Sequence, residues 1–353
     1  MKKKIIIFST VLVILACVIV MALLGFKLVD TIMYSSFYDI ANDEFYIPDL
    51  LDGFVPQGFD YMESERVFLA CGYMSDEDEA SRIYVIDEDG EEYYYTELAE
   101  SVTSKPYTGH TGGIAYFGDY VYITGSDGVD VFDLNAILDK SVQVAPKLGT
   151  VDMSAYKMDP AFCFIYNEEL YVGSFHDGES YKDPEEHKID IDGRDKNNAT
   201  MLSFPLRAGD KSTYCVATTP NAIYSIPDMA QGACVIPEVL DNNGKVLESA
   251  KLVLSTSYGM SASNIYIHDI KKIEENTYPA TISKEMIGVS VPLYVIDSQT
   301  LVDTIEAPPM AEEIVYLDGK IWIMNESASN KYIFGKFTTG NTLFSVNYPS
   351  TNK

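Results

Sequence analysis

Amide, carboxyl and imidazole side chains stand at the start of several strand-like segments of this chain. Such groups bind a divalent cation or hydrogen-bond a small polar ligand. Calcium is the preferred ion for an oxygen-rich set, because it takes several oxygen ligands and tolerates irregular geometry. The predicted metal ligands are Gln57, Asp159, Glu312 and Glu313, and Gln231 is predicted to line the same ligand channel.

The densest group of polar residues on regular strands is "PPMAEEIVYLDGKIWIMNESASNKY", residues 308–332. Glu312 and Glu313 are neighbours on one strand, so their side chains point to opposite faces and only one can face a channel. Asn325 and Glu326 end the next strand and are predicted to line that channel. A carboxylate buried there needs a cation, an arginine or a chain of waters beside it.

Two of the four histidines are candidates for catalysis. His110 opens one segment, and His176 follows the second strand of the next, in "VGSFHDG". As a pair they would act as general base and partner in hydrolysis, because imidazole titrates near neutral pH. The alternative is that each only hydrogen-bonds a neighbouring loop. His187 and His268 are predicted to be structural.

Signatures of other hydrolases fail on their context. "GHTGG", residues 109–113, is similar to the glycine-rich oxyanion segment of α/β-hydrolases, but no G-x-S-x-G elbow follows a strand and precedes a helix. "DIDGRD", residues 190–195, lacks the complete calcium-loop pattern. A solvated loop is therefore the expected structure of this second segment.

One unit of strands and tight turns recurs along the chain. Its turns, "FGDYVYI", "YNEELYV" and "LDGKIWI", each place Asp, Asn or Gly between two strands, as short hairpins require. Repeats of roughly 50 residues with four short strands are typical of β-propeller blades. We expect an all-β propeller of five to six blades, with seven as the upper alternative, and the recurrence argues against a β-sandwich pair. The equivalent starting points of the repeats are Gly58, Gly113, Ala161, Gly232 and Glu313.

The N-terminus predicts a membrane anchor. Three lysines precede an uncharged apolar run over residues 5–26, which is long enough for a transmembrane helix with its lysines in the cytoplasm. We therefore predict an anchor over residues 1–28, a stalk over 29–50 and an extracellular propeller over 51–353. A cleaved signal peptide and lipidation of Cys17 in "ILAC" are the alternatives.

Composition limits the partners. The chain has 53 acidic and 25 basic residues, a net charge of −28, which repels nucleic-acid phosphates. We expect no nucleic-acid binding. No C-x-x-C spacing occurs, and Cys71 and Cys163 lie inside strand patterns, where buried free thiols are expected.

Two blade entries resemble a known superfamily. "PQGFDY", residues 56–61, and "AEEIVYLDGKIWI", residues 311–323, look like entry motifs of the calcium-dependent lactonase and strictosidine-synthase-like propellers. The resemblance implies that acidic and amide residues of the inner strands hold a central metal. It also implies that Gln57 stands where a metal-binding Glu is usual, and that Glu312 or Glu313 supplies the missing carboxylate.

These features predict a membrane-anchored extracytoplasmic propeller that binds an unknown small molecule or protein, with a divalent metal at the channel. The alternative is a calcium-dependent lactonase or esterase-like hydrolase, in which His110 acts as base. A third possibility is an envelope interaction module that recruits a partner through its acidic rim. The channel residues alone do not decide between binding and catalysis.

Overall fold

The computed structural model describes residues 2–102, 105–126, 128–191, 195–332 and 340–348, without the side chains of residues 2–8, 23, 24, 26, 27 and 195. One long helix, four short helices and many strands make up these ranges. The helices are α1 (Lys2–Met33), α2 (Ser35–Tyr38), α3 (Leu134–Leu138), α4 (Ile270–Glu275) and α5 (Ala280–Ile287), and 3-10 turns cover Leu50–Asp52, Ser154–Tyr156 and Glu185–His187.

The strands follow one another in short antiparallel runs. In chain order they are β1 (Ala41–Tyr46), β2 (Phe54–Met62), β3 (Val67–Met74), β4 (Arg82–Asp87), β5 (Tyr93–Ala99), β6 (Ile114–Phe117), β7 (Tyr120–Gly125), β8 (Gly128–Asp133), β9 (Val144–Pro146), β10 (Gly149–Asp152), β11 (Pro160–Tyr166), β12 (Glu169–Ser174), β13 (Ile189–Ile191), β14 (Asp195–Asn197), β15 (Ala199–Pro205), β16 (Ala222–Ile226), β17 (Ala230–Ile236), β18 (Val239–Leu240), β19 (Val246–Glu248), β20 (Lys251–Thr256), β21 (Ser263–Asp269), β22 (Thr277–Tyr278), β23 (Leu293–Val295), β24 (Leu301–Ala307), β25 (Ala311–Leu317), β26 (Lys320–Asn325) and β27 (Thr342–Asn347).

The strands form a five-bladed β-propeller, which confirms the predicted fold class and selects five blades. From the axis outward, blade one is β2-β3-β4-β5-β9, blade two is β6-β7-β8-β10, and blade three is β11-β12-β15-β16-β23-β22. Blade four is β17-β20-β21-β24 and blade five is β25-β26-β27-β1. Residues 291–308, a candidate sixth blade, instead supply β23 to blade three and β24 to blade four.

Tight turns join the first two strands of several blades, as their residues predict. Tyr166 pairs with Glu169 across a two-residue turn, and Leu317 pairs with Lys320 across another. Asn167 and Asp318 adopt positive φ values of 48° and 51° in these turns, the backbone that two-residue hairpins favour. The blade repeat is therefore set locally by its turn chemistry.

The N-terminal strand closes the ring. β1 pairs antiparallel with β27, with Ala41 opposite Val346, so it is the outermost strand of the last blade. This corrects the predicted stalk over residues 29–50, because residues from Ala41 onward belong to the propeller. Closure also buries Phe45, whose ring lies 5.5 Å from that of Phe68 in blade one. Joining both ends of the chain in one sheet covers the outer edge of β27.

The inner strands approach one another too closely for side chains. A Cβ placed on Gly58 would lie 2.6 Å from the backbone nitrogen of Ile114, and one on Gly113 would lie 2.5 Å from that of Cys163. A Cβ on Gly232 would lie 2.5 Å from Cα of Glu313. Glycine is required at these starting points because neighbouring backbones occupy that space.

The propeller has two faces, which we name by the inner strands. The upper face holds the first residues of these strands, and the lower face holds their last residues and the turns that follow. β1 starts on the lower face, because Ala41 pairs with Val346 near the β25–β26 turn. α2 packs against β24 of blade four and β1 of blade five, and the ring of Phe37 lies 5.4 Å from that of Phe344.

The predicted membrane anchor depends on the length and hydropathy of the N-terminal helix. Within the described ranges we find no helix whose length and hydropathy together suffice for a membrane crossing. Several side chains of the predicted span, those of residues 5–8, 23, 24 and 26, lie outside the description. Anchoring stays a prediction, which resistance of the membrane-bound full chain to alkaline carbonate extraction would check.

Candidate functional site

A cavity of about 380 Å³ opens at the centre of the upper face. Every blade contributes residues to it, because the inner strands begin around this point. The polar and charged residues that line it are Gln57, Tyr73, His110, Ser126, Asp159, Tyr181, Gln231, Ser257, Tyr258, Glu312, Glu326, Lys331 and Tyr332. The fold therefore brings together side chains that lie far apart in sequence.

Two carboxyl groups lie at the blade-five side of this cavity. Burial raises the pKa of Glu312 well above its usual value, and the charges of Glu326 and Glu313 raise it further. Burial also raises the pKa of Glu326 to about 7, against the opposing effects of Tyr332, Lys331 and Gln57. Near neutral pH this pair therefore holds at least one proton, since two close carboxyl groups resist full ionisation.

Hydrogen bonds fix the orientation of Glu326. The hydroxyl of Tyr332 donates to its Oε2 at 2.7 Å, and Nε2 of Gln57 donates to the same oxygen at 2.8 Å. Nε2 of Gln57 also donates to the backbone oxygen of Pro56 at 2.9 Å. The predicted channel residue Gln57 thus positions a carboxylate, through its amide nitrogen.

A cationic and aromatic cluster borders the carboxyl pair. Nζ of Lys331 lies 4.4 Å from the ring centre of Tyr73 and donates to its hydroxyl. The ring of His110 lies 4.7 Å from that of Tyr73. The protein around the exposed His110 ring lowers its pKa to about 4, first by desolvation and then by the charge of Lys331. His110 is therefore neutral at physiological pH but a weak base, because a general base is most effective when its pKa lies near the working pH.

The outer wall of the cavity is aromatic and comes partly from an insertion in blade three. Tyr181 and Tyr258 flank Phe175, whose ring centre lies 5.6 Å from that of Tyr181. The backbone N–H of Asp183 donates to Nδ1 of His176 at 3.0 Å and fastens the insertion to the blade. The predicted surface loop is thus tied down where it meets the cavity.

The structure gathers most of the predicted site residues and separates the others. Gln57, His110, Asp159, Gln231, Glu312 and Glu326 line the cavity. Glu313 lines a different cavity on the lower face, in agreement with the alternation of strand side chains. His176 and Asn325 are buried and do not line the upper cavity. His176 holds a loop, the alternative that its position at a strand end left open.

Sequence reasoning missed the aromatic residues and the lysine. Lys331 and Tyr332 end the stretch that was singled out for its polar residues, so their proximity was a usable signal. Tyr73 is the penultimate residue of β3, opposite Val55 and one pair away from Pro56 at the entry of blade one. Tyr181 carried no signal, because nothing local shows where an insertion docks.

The predicted metal site is only partly assembled. Gln57, Asp159 and Glu312 share the upper cavity, but Glu313 lies on the other side of the inner-strand ring. Among the described residues, no group of three or more His, Cys, Asp or Glu side chains has metal-binding geometry. Calcium binding stays a prediction. Cys71, Cys163, Cys215 and Cys234 are buried and free, as expected for the first two.

Known proteins resemble this chain only distantly. The sequence matches no protein-family model and no curated protein. Similar solved structures include the PQQ-bound aldose sugar dehydrogenase of Streptomyces coelicolor, with a TM-score of 0.42, 10% identity and coverage of 87% of this chain and 97% of that one. Myxococcus xanthus glutaminyl cyclase has a TM-score of 0.42 and 9% identity, with coverage of 87% and 95%. Such distant likeness carries no inference about activity, and the lactonase relationship stays a prediction.

Proposed function

We propose that this propeller binds a small, hydroxyl-rich polar ligand in the cavity of its upper face. The observation that carries the proposal is the pair Glu312 and Glu326, two carboxyl groups with raised pKa values that line a cavity built by all five blades. Keeping such groups next to a cavity costs stability, which a binding role explains. Carboxyl and amide oxygens accept hydrogen bonds from hydroxyl groups.

The aromatic wall supports the same ligand class. Flat rings such as those of Phe175, Tyr181 and Tyr258 offer apolar surfaces with polar tips, which suit the alternating apolar and hydroxyl-bearing faces of a sugar ring. Sites of this kind combine apolar surface with a few convergent polar groups that fix orientation. A neutral or amino sugar is therefore the proposed ligand class.

A panel of neutral and amino sugars, titrated into the full chain by calorimetry, tests this proposal. Replacing Tyr181 by alanine is expected to weaken binding of the best panel member about tenfold, the loss of roughly 1.4 kcal/mol of stacking. Tyr181 is 50% exposed, so the fold should tolerate the change. Tyr46, 71% exposed and outside the cavity, provides the matched control Tyr46→Ala. Equal affinities in both variants, or no saturable binding by any sugar, would count against the proposal.

Hydrolysis is the second candidate function, favoured by the same carboxyl pair. A carboxylic acid with a pKa near 7, as at Glu326, is suited to proton transfer at neutral pH. Glu326 and Glu312 would act as acid and base, while Gln57 and Asp159 offer oxygen atoms to the predicted calcium ion.

A panel of lactones and aryl esters, assayed with calcium and with a chelator, tests the hydrolase. We expect turnover to fall at least about a hundredfold in Glu326→Gln and in Glu312→Gln, the usual contribution of a general acid or base. If calcium binds the native state, its addition must also raise the melting temperature. Turnover that survives both substitutions contradicts the hydrolase proposal. A melting temperature that neither calcium nor chelator changes contradicts calcium binding.

A further inference from the structure

A second cavity, of about 260 Å³, opens on the lower face around the axis. It is separate from the sugar site, because the close-packed inner strands lie between the two. Tyrosines from four blades line it: Tyr61 of blade one, Tyr116 of blade two, Tyr166 of blade three and Tyr316 of blade five. All four are half-buried, so ring surface remains open at the mouth.

Acidic groups accompany these rings. Asp60 and Glu313 line the cavity, as does Glu63 at its edge, and no Lys, Arg or His stands among the described residues that line it. Glu313 is 1% exposed, and its Oε1 accepts the backbone N–H of Ala233 at 2.7 Å. Its Oε2 is buried without a hydrogen-bond partner among the described residues. A carboxyl oxygen buried without a partner is costly, and a positive charge in the adjoining cavity would offset that cost.

The donor set suits an organic cation better than a hard metal ion. Calcium takes roughly six to eight oxygen ligands, whereas this cavity combines a few carboxyl groups with a ring of tyrosines. Aromatic faces attract a positive charge placed over them, and cages of such rings recognise quaternary ammonium groups. A carboxylate at the base of the cage would neutralise the charge.

We propose that the lower cavity binds a quaternary ammonium group, held among Tyr61, Tyr116, Tyr166 and Tyr316 and neutralised by Asp60 and Glu313. The ammonium belongs either to a free organic cation or to a choline-type lipid head group. Both sources present the same chemistry.

Protonation of the acidic groups should compete with the cation. Burial raises the pKa of Asp60 to about 7 and that of Glu313 well above its usual value. The other titratable groups that line the cavity are Glu63, Cys234 and the four tyrosines, and burial raises the pKa of Cys234 and, to about 12, that of Tyr116. Because Asp60 loses its proton as the pH rises through neutrality, ammonium affinity should increase over that interval.

Calorimetric titration of the full chain with tetramethylammonium chloride, against sodium chloride at equal ionic strength, tests the proposal. We expect saturable binding that sodium does not reproduce, about tenfold tighter at about pH 8 than at about pH 5.5. Glu313→Gln and Tyr316→Leu should each weaken it about tenfold. Glu312→Gln, one residue away but on the upper face, is the matched control and should leave tetramethylammonium affinity unchanged.

The two ligand sources separate in a second arm, which uses vesicles of phosphatidylcholine and of phosphatidylglycerol. Preference for phosphatidylcholine, lost in Tyr316→Leu, supports the head group as ligand, whereas tetramethylammonium binding without that preference supports a free cation. Absence of saturable tetramethylammonium binding at millimolar concentration, or equal effects of Glu312→Gln and Glu313→Gln, overturns the proposal. Sugar binding in Glu313→Gln reports separately on the upper cavity.

Discussion

Gly58→Ala is expected to destabilise the propeller by about 3 kcal/mol, the upper end of the usual cost of overpacking. The added Cβ would lie 2.5 Å from Sγ of Cys71 and 2.7 Å from the carbonyl carbon of Gly113. The thiol can turn aside, but the backbone of the neighbouring blade cannot move without displacing the ring. Chemical denaturation of the full chain, followed by circular dichroism, measures the loss.

Gly319→Ala provides the control for that experiment. Gly319 has φ +77° in the β25–β26 turn and has no atom within 4 Å of its Cβ position. Alanine there should cost only about 1 kcal/mol, for the strained backbone alone. A loss at Gly58 no larger than that at Gly319 would mean that the inner strands separate easily, contrary to their packing.

The periodic part of this fold can be predicted because local chemistry encodes it. Gly58, Gly113 and Gly232 start inner strands for the same steric reason, and the hairpin turns repeat with the blades. β1 could not be predicted, because it pairs with β27 at the opposite end of the chain. Its sequence, "ANDEFY", is polar and carries no apolar alternation that would indicate a strand.

Some residues of the candidate site could likewise be predicted from the sequence, and others could not. Gln57, His110 and Glu312 were found because residues that enter inner strands must meet at one mouth of a propeller. The aromatic wall depends on tertiary packing: Tyr181 lies at the cavity in an insertion that contacts Phe175 and is fastened to His176 through Asp183. The lower cavity was missed because strand ends bearing tyrosine look like ordinary half-buried sheet positions.

Glu312 offers the sharpest separation of a binding role from a structural one. Because its folded-state pKa lies well above that of the unfolded chain, the folded protein binds more protons than the unfolded chain at intermediate pH. The free energy of unfolding must then fall as the pH rises above the pKa that Glu312 has in the unfolded chain. It falls by up to about 1.4 kcal/mol per pH unit, until Glu312 ionises in the folded protein. Below the unfolded pKa this penalty disappears.

Glu312→Gln is therefore expected to stabilise the protein at neutral pH, by about 2 kcal/mol at about pH 7.5, and to change little near about pH 4. The same substitution should weaken binding of the best sugar about a hundredfold, because the carboxyl group of Glu312 becomes a strong acceptor when it releases its proton to bind a ligand hydroxyl, and an amide cannot do so. Unfolding measured across this pH range, with the exposed Glu65→Gln as control, gives the first result, and calorimetry gives the second. Replacing a residue that is kept only for the fold would instead destabilise the protein. Gain of stability together with loss of binding would instead identify Glu312 as a group retained for its ligand at the expense of the fold.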